Sequence, residues 1–120
     1  MESDSILLFV KDTSGVNVED DAFDSEILIH INSAFSTLRQ LGVGPDSPFI
    51  VNDSNTTWDE FTTDDSIISM VKSYIVLKVR YLFDPPTSSS LATAMKETIS
   101  EYEWRLAVEV DNSLVSDGGG

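Results

Sequence analysis

The chain has 120 residues, 41% of them hydrophobic, and a mean hydropathy of -0.04; that suffices for one domain with a real core and falls short of two. It contains no cysteine, which excludes disulfides, thiolate nucleophiles and cysteine-ligated metals. Its 21 acidic and 7 basic residues give a net charge of -14, which disfavours direct affinity for nucleic acid because phosphate binding needs clustered Lys and Arg.

The acidic surplus is uneven. Positions 1 to 65 carry fourteen of the acids and only two of the bases, Lys11 and Arg39. Such a surplus keeps a protein soluble through self-repulsion; it also suits an acidic face offered to a basic partner, or a conduit that must not adhere to a polyanion. No apolar run approaches the roughly 20 residues that span a bilayer. The opening Met1-Glu2-Ser3-Asp4 is acidic where a secretory signal is basic, so synthesis in a cytoplasm is expected.

A first short helix is expected over Ile6 to Val10, capped by Ser3 or Ser5 and ending before Gly15. The polar stretch from Val16 to Asp24 follows, with Val18 and Phe23 as expected anchors into the core. Four acids lie within Glu19 to Asp24. A metal site is one reading of them; the stronger one is that acids opening a helix satisfy free N–H groups and favour the positive end of its dipole. That helix is expected from about Ser25 to Leu41. Ile27, Leu28, Ile31, Ala34, Phe35, Leu38 and Leu41 form its apolar stripe. Gly42 suits a left-handed C-cap, and Pro45 prevents any resumption.

Between Gly42 and Asp65, Phe49-Ile50-Val51 is the one strand-like stretch, set between turn formers. It either pairs with a neighbouring molecule or is an extended loop, and both readings stay open. Thr56 or Thr57 can cap a helical turn carrying Trp58 and Phe61. Two long helical segments then meet at Leu82-Phe83-Asp84-Pro85-Pro86-Thr87. Two adjacent prolines end a helix, and Pro85 forces Asp84 out of helical geometry. Ile67, Val71, Tyr74, Ile75, Val79 and Leu82 line the first segment; Leu91, Met95, Ile99, Tyr102 and Leu106 line the second. Asp64, Asp65 and Ser66 are cap candidates for the one, and Ser88, Ser89 and Ser90 for the other.

The reading is therefore mainly α: a small bundle of four to five helices with a long Pro-Pro-linked hairpin and one strand-like loop. Residues 1–110 form the single helical domain, with Ile27, Ile31, Phe35, Leu38, Val71, Tyr74, Leu82, Ile99 and Leu106 in its core. Residues 111–120 are expected to be a flexible tail whose only apolar grip is Leu114 and Val115.

Each catalytic template lacks a part. His30 is the single histidine and lies off the stripe, and no Gly-x-Ser-x-Gly motif presents a serine to it. Asp53-x-Asn55-x-Thr57 with Asp59 and Asp64 echoes a calcium loop, but Trp58 stands where such a loop needs Gly and Asp64 where it needs Glu. Carboxylate pairs are too abundant to single out an acid and a base. No enzyme activity, cofactor or metal is expected; an interaction or structural role is favoured. Trp58, Tyr102 and Trp104 are aromatics of the kind that serve either core or interface.

Three stretches carry a resemblance. They are Glu26-Ile-Leu-Ile-His-Ile-Asn-Ser-Ala-Phe35 with Leu38-Arg-Gln-Leu-Gly-Val-Gly-Pro45, then Lys72-Ser-Tyr-Ile-Val-Leu-Lys-Val-Arg-Tyr-Leu-Phe-Asp-Pro-Pro86, and Glu101-Tyr-Glu-Trp-Arg-Leu106. Together, in order and at unbroken spacing over most of residues 5 to 110, they resemble the head-tail connector proteins (adaptor, head completion or neck proteins) of long-tailed phages of Gram-positive hosts. The resemblance implies a virion protein made in the host cytoplasm, assembled as a ring of about twelve copies beneath the portal. The ring would extend the DNA channel without binding DNA specifically and would dock the next stopper or tail-completion protein, with no membrane involved. It also implies roles for Phe49, Ile50 and Val51 as an edge added to a neighbouring copy, and for Leu114 and Val115 as a grip on the portal. As an alternative from a different class, the charge would also permit an acidic DNA mimic or inhibitor that binds a basic host protein.

Overall fold

Capping chemistry sets where most of the helices begin; the helix that opens at Asp24 has Phe23 at its N-cap and no side-chain cap, so its opening acids do not take up free N–H groups there as expected. Ser5 opens α1 (Ile6–Thr13) by accepting from the Leu8 N–H at 3.3 Å. Asp64 opens α4 (Asp65–Phe83), taking the Ser66 hydroxyl at 2.7 Å and its N–H at 2.9 Å. Those two bonds, the hydroxyl's first, hold the Asp64 carboxyl below the usual carboxylate range. Between them lie α2 (Asp24–Gln40) and the single turn α3 (Trp58–Phe61), which Thr57 and Glu60 close as a reciprocal capping box. Ser88 accepts from the Leu91 N–H at 3.4 Å at the start of α5 (Ser89–Gly119). A computed structural model describes residues 4–119, with side chains through residue 110; the expected tail, including Leu114 and Val115, lies outside the described side chains.

The ends follow from glycine and proline. After Leu41 the chain turns left-handed at Gly42 (φ +83°), and the Gly42 and Val43 N–H groups return to the Arg39 and Leu38 carbonyls at 3.0 and 2.9 Å. This is a Schellman closure, and it seats Val43 in the core against Leu38. Helix α4 stops at Asp84, whose N–H makes a last bond to the Arg80 carbonyl at 2.8 Å before Pro85 and Pro86.

The architecture is a helical bundle, as the periodicity implies. Helix α4 packs against both α2 and α5, and α1 touches α2 and α4. Ile27, Ile31, Phe35, Leu38, Val71, Tyr74, Ile99 and Leu106 are all buried. Leu82 is not: it is 38% exposed, because the inward place in the last turn goes to Phe83, which stacks edge-on against Phe23 at 5.6 Å. Val18 and Phe23 are likewise 41% and 46% exposed rather than anchored. The stretch they flank is held by a different residue, described below.

An aromatic cluster joins the irregular middle of the chain to the bundle. The Phe35 ring lies 4.8 Å from Phe61, 4.9 Å from Phe49 and 6.3 Å from Trp58. Gly44 (φ +92°) passes so close that a Cβ there would overlap the Phe61 ring, and the cluster leaves that ring nowhere to go.

Two expected outcomes follow from this packing. Gly44→Ala combines a left-handed backbone (about 1–2 kcal/mol) with overpacking of an immobile ring (about 1–3 kcal/mol), whereas Gly42→Ala meets only an ordinary 3.8 Å contact with Val110 and should cost about 1–2 kcal/mol. Urea unfolding of the two variants measures the gap. The second concerns Tyr74, whose hydroxyl donates to Glu103 Oε2 at 2.8 Å. Burial first, then that bond and the Glu103 charge, raise the phenol above its ordinary 10.0, against a weaker opposing bond from Thr37. The native pKa is higher than the unfolded one, so Tyr74's contribution is fully present below about pH 10 and is lost as pH rises from there through the native value. Tyr74→Phe should cost about 1–2 kcal/mol at neutral pH and should flatten the alkaline loss of stability.

Candidate interaction surfaces

Two polar side chains position the irregular segments. Lys11 is 1% exposed, and its ammonium reaches the Asp24 carboxylate at 2.7 Å and the Val18 carbonyl at 3.1 Å. It thereby ties α1, the start of α2 and the acid-rich stretch between them into one unit. Asn32 does the same for the second irregular segment: its side-chain amide donates to the Val51 carbonyl at 3.0 Å, and its carbonyl accepts from the Val51 N–H at 2.7 Å. This pairing imitates a β-ladder step with a side chain.

Within the single chain, that geometry makes Phe49 to Val51 the extended loop of the two readings. No strand forms there; the described residues hold a single isolated bridge, between Ser5 and Thr57. Val51 is 1% exposed with both backbone groups already paired, so it offers no free edge. Phe49 is half-buried in the aromatic cluster, and Ile50 alone of the three is exposed, at 53%. His30 stands 3.7 Å from Glu26 on α2. No group of three or more potential metal ligands occurs among the described residues, and the acids from Glu19 to Asp21 face solvent.

A long concave feature runs between α1, α4 and α5. Its first part, of ≈ 430 Å³, is lined by Phe9, Val76, Leu77 and Tyr102 with Lys72 and Arg80 among them. It continues past Leu77 and Arg80 into a hollow of ≈ 530 Å³ bounded by Pro85, Pro86, Leu91 and Met95, with Asp84 at its edge. The Lys72 ammonium lies 5.5 Å from the Phe9 ring centre and 5.7 Å from that of Trp58. Among the described residues, Lys11, Lys78 and Arg105 each have a carboxylate partner, at Asp24, Glu103 and Glu101. Lys72 and Arg80 have none.

Large apolar side chains are exposed on several elements: Phe23 before α2, Ile29 (66%) on α2, Ile50, and Leu91 (63%) and Trp104 (65%) on α5. Trp58, by contrast, is 1% exposed. The two tryptophans should therefore separate cleanly. Trp104→Phe is expected to remove the acrylamide-quenchable fluorescence and change stability by no more than about 0.5 kcal/mol, while Trp58→Ala should cost about 3–5 kcal/mol.

The lysine and asparagine anchors and the groove were all missed in the sequence, although two carried a signal. Lys11 sits four residues after Leu7 on the buried face of α1, and Asn32 four after Leu28 at the edge of the α2 stripe. A polar residue at an apolar position is the mark of an internal tether.

A family model described as phage connector protein matches residues 6–113, which include α1 to α4, both irregular segments and the Pro-Pro turn. No curated protein and no solved structure matches the chain. No helix among the described residues is long and apolar enough to cross a membrane. The interaction surfaces thus sit on a structural component of the virion, and the chain belongs to the phage connector protein family.

Proposed function

We propose that the protein is a head-tail adaptor: copies assemble as a ring beneath the portal, extend the channel through which DNA passes, and present a docking surface to the next neck or tail component. The family match over residues 6–113 carries this reading. The distribution of exposed apolar residues supports it. Phe23, Ile29, Ile50, Leu91 and Trp104 lie on different elements, which suits a subunit with neighbours on more than one side. A DNA mimic needs one rigid acidic face instead. The net charge of -14 suits a conduit for DNA, since like charge keeps phosphates from adhering during passage. In this reading Ile50 meets a neighbouring copy, and residues 111–120, through Leu114 and Val115, meet the portal.

The reading is tested on particles and on purified portal rings. The chain should be present in mature virions by mass spectrometry and should co-sediment with portal rings. Deleting residues 111–120 should abolish that co-sedimentation while leaving the thermal midpoint of the remaining chain unchanged. Absence of the chain from mature particles overturns the adaptor reading, and undiminished portal binding by the truncated chain removes the role given to the tail.

A further inference from the structure

The groove between α1, α4 and α5 has a mainly apolar lining, with Lys72 and Arg80 along it and Asp84 at its far end. The chain has three acids for every base; among the described residues Lys11, Lys78 and Arg105 each have a carboxylate partner, while Arg39, Lys72, Arg80 and Lys96 do not. Lys72 and Arg80 are the groove-lining cations without one among the described residues. The acid-rich stretch on the other side of α1 has the opposite character. Glu19, Asp20 and Asp21 are exposed, with Val18 41% exposed before them and Phe23, one side of whose ring meets Phe83, 46% exposed after them. Lys11 fixes this stretch in place from beneath, so little ordering entropy would be lost when it docks.

We infer that the groove receives the Val18–Phe23 segment of a second copy of this chain, so that neighbouring subunits meet head to tail. The inference rests on the ring reading above and names the surfaces that build the ring. The two halves of the contact are complementary in both respects that matter: acids meet Lys72 and Arg80, and two exposed apolar side chains meet a mainly apolar lining. The two surfaces are different patches of one molecule, so the contact is heterologous. Such a contact propagates from copy to copy and closes when the rotation per subunit divides a full turn. A two-fold contact between identical patches would instead set acids against acids.

The absence of cysteine gives a clean test. Thr98, exposed in the groove on α5, is replaced in the full chain as Thr98→Cys and carries a photoreactive maleimide. Equal amounts of labelled chain and unlabelled ¹⁵N chain are irradiated in assembled particles and, separately, as purified protein at about 1 mM in ~0.15 M salt. Mass spectrometry should find the adduct on residues 16–24 of the ¹⁵N chain, and adding Arg80→Glu should reduce its yield about tenfold. An adduct on another part of the chain, on a different virion protein, or only within the labelled molecule overturns the assignment, as does an unchanged yield with Arg80→Glu. Circular dichroism of the Arg80→Glu chain guards against misfolding, and Arg80→Lys should retain most of the yield. The two readings fail separately. A chain present in particles that captures something else loses this inference and keeps the adaptor role; a chain absent from particles loses the adaptor role, and capture in the purified protein then decides the contact alone.

Discussion

Helix α4 is packed from two sides, and that constraint places everything else. Val71, Tyr74, Ile75 and Val79 are each fully buried, between α2 on one side and α5 on the other. An apolar face that wide cannot be covered by one neighbour, so the Pro85-Pro86 turn must return the chain along it. The turn decides that α5 comes back; the Tyr74 hydroxyl decides where. It is a polar atom on an apolar face and finds its partner in Glu103, which Lys78 also approaches at 3.4 Å. A slip of one helical turn would carry the carboxylate about 5.4 Å away and strand a buried hydroxyl at a cost of about 1–3 kcal/mol. A single hydrogen bond thus converts a permissive hydrophobic contact into a defined register.

The irregular segments answer a different problem. Backbone groups outside helices still need partners when they are buried, and here Asn32 and Lys11 supply them from within the bundle. A consequence follows for assembly. Val51 is already paired through Asn32, so its own backbone groups are not free to extend a neighbour's edge. In the proposed ring, the groove and the exposed apolar side chains are the surfaces offered to a neighbour.

Much of the fold was legible in the sequence because its signals are local. Helical periodicity gave the faces of α2, α4 and the middle of α5, where Ile99 and Leu106 are buried, but not its first turn, where Leu91 is 63% exposed; Gly42 and Pro85-Pro86 gave the stops, and Ser5, Asp64 and Ser88 were among the candidates for the starts. What stayed hidden depends on contacts distant along the chain. Phe49 to Val51 has the composition of a strand, and only the facing Asn32 turns it into a loop. Val18 and Phe23 read as anchors because they are apolar, but Lys11 occupies the interior beneath them. Leu82 and Phe83 are equivalent by composition, and the presence of Phe23 decides which one turns inward. The groove was illegible for the same reason, being shared by α1, α4 and α5, and no one of those helices contains it.

The charge pattern bears on when subunits can associate. Each copy carries a net charge of -14, so two free copies repel over the whole distance that salt leaves unscreened, about 8 Å at physiological ionic strength. The proposed contact at Lys72 and Arg80 would act over a shorter range and would have to overcome that repulsion before it gains anything. Salt works on both at once: it weakens the attraction at the groove and the repulsion between the bodies. In the proposed ring, such a subunit would associate weakly at low concentration and be well served by a template that holds copies side by side, because the template supplies the proximity and leaves the groove contact to set the orientation. The same surplus of acid that would keep DNA from adhering to a finished ring would then also keep subunits apart until a site of assembly brings them together.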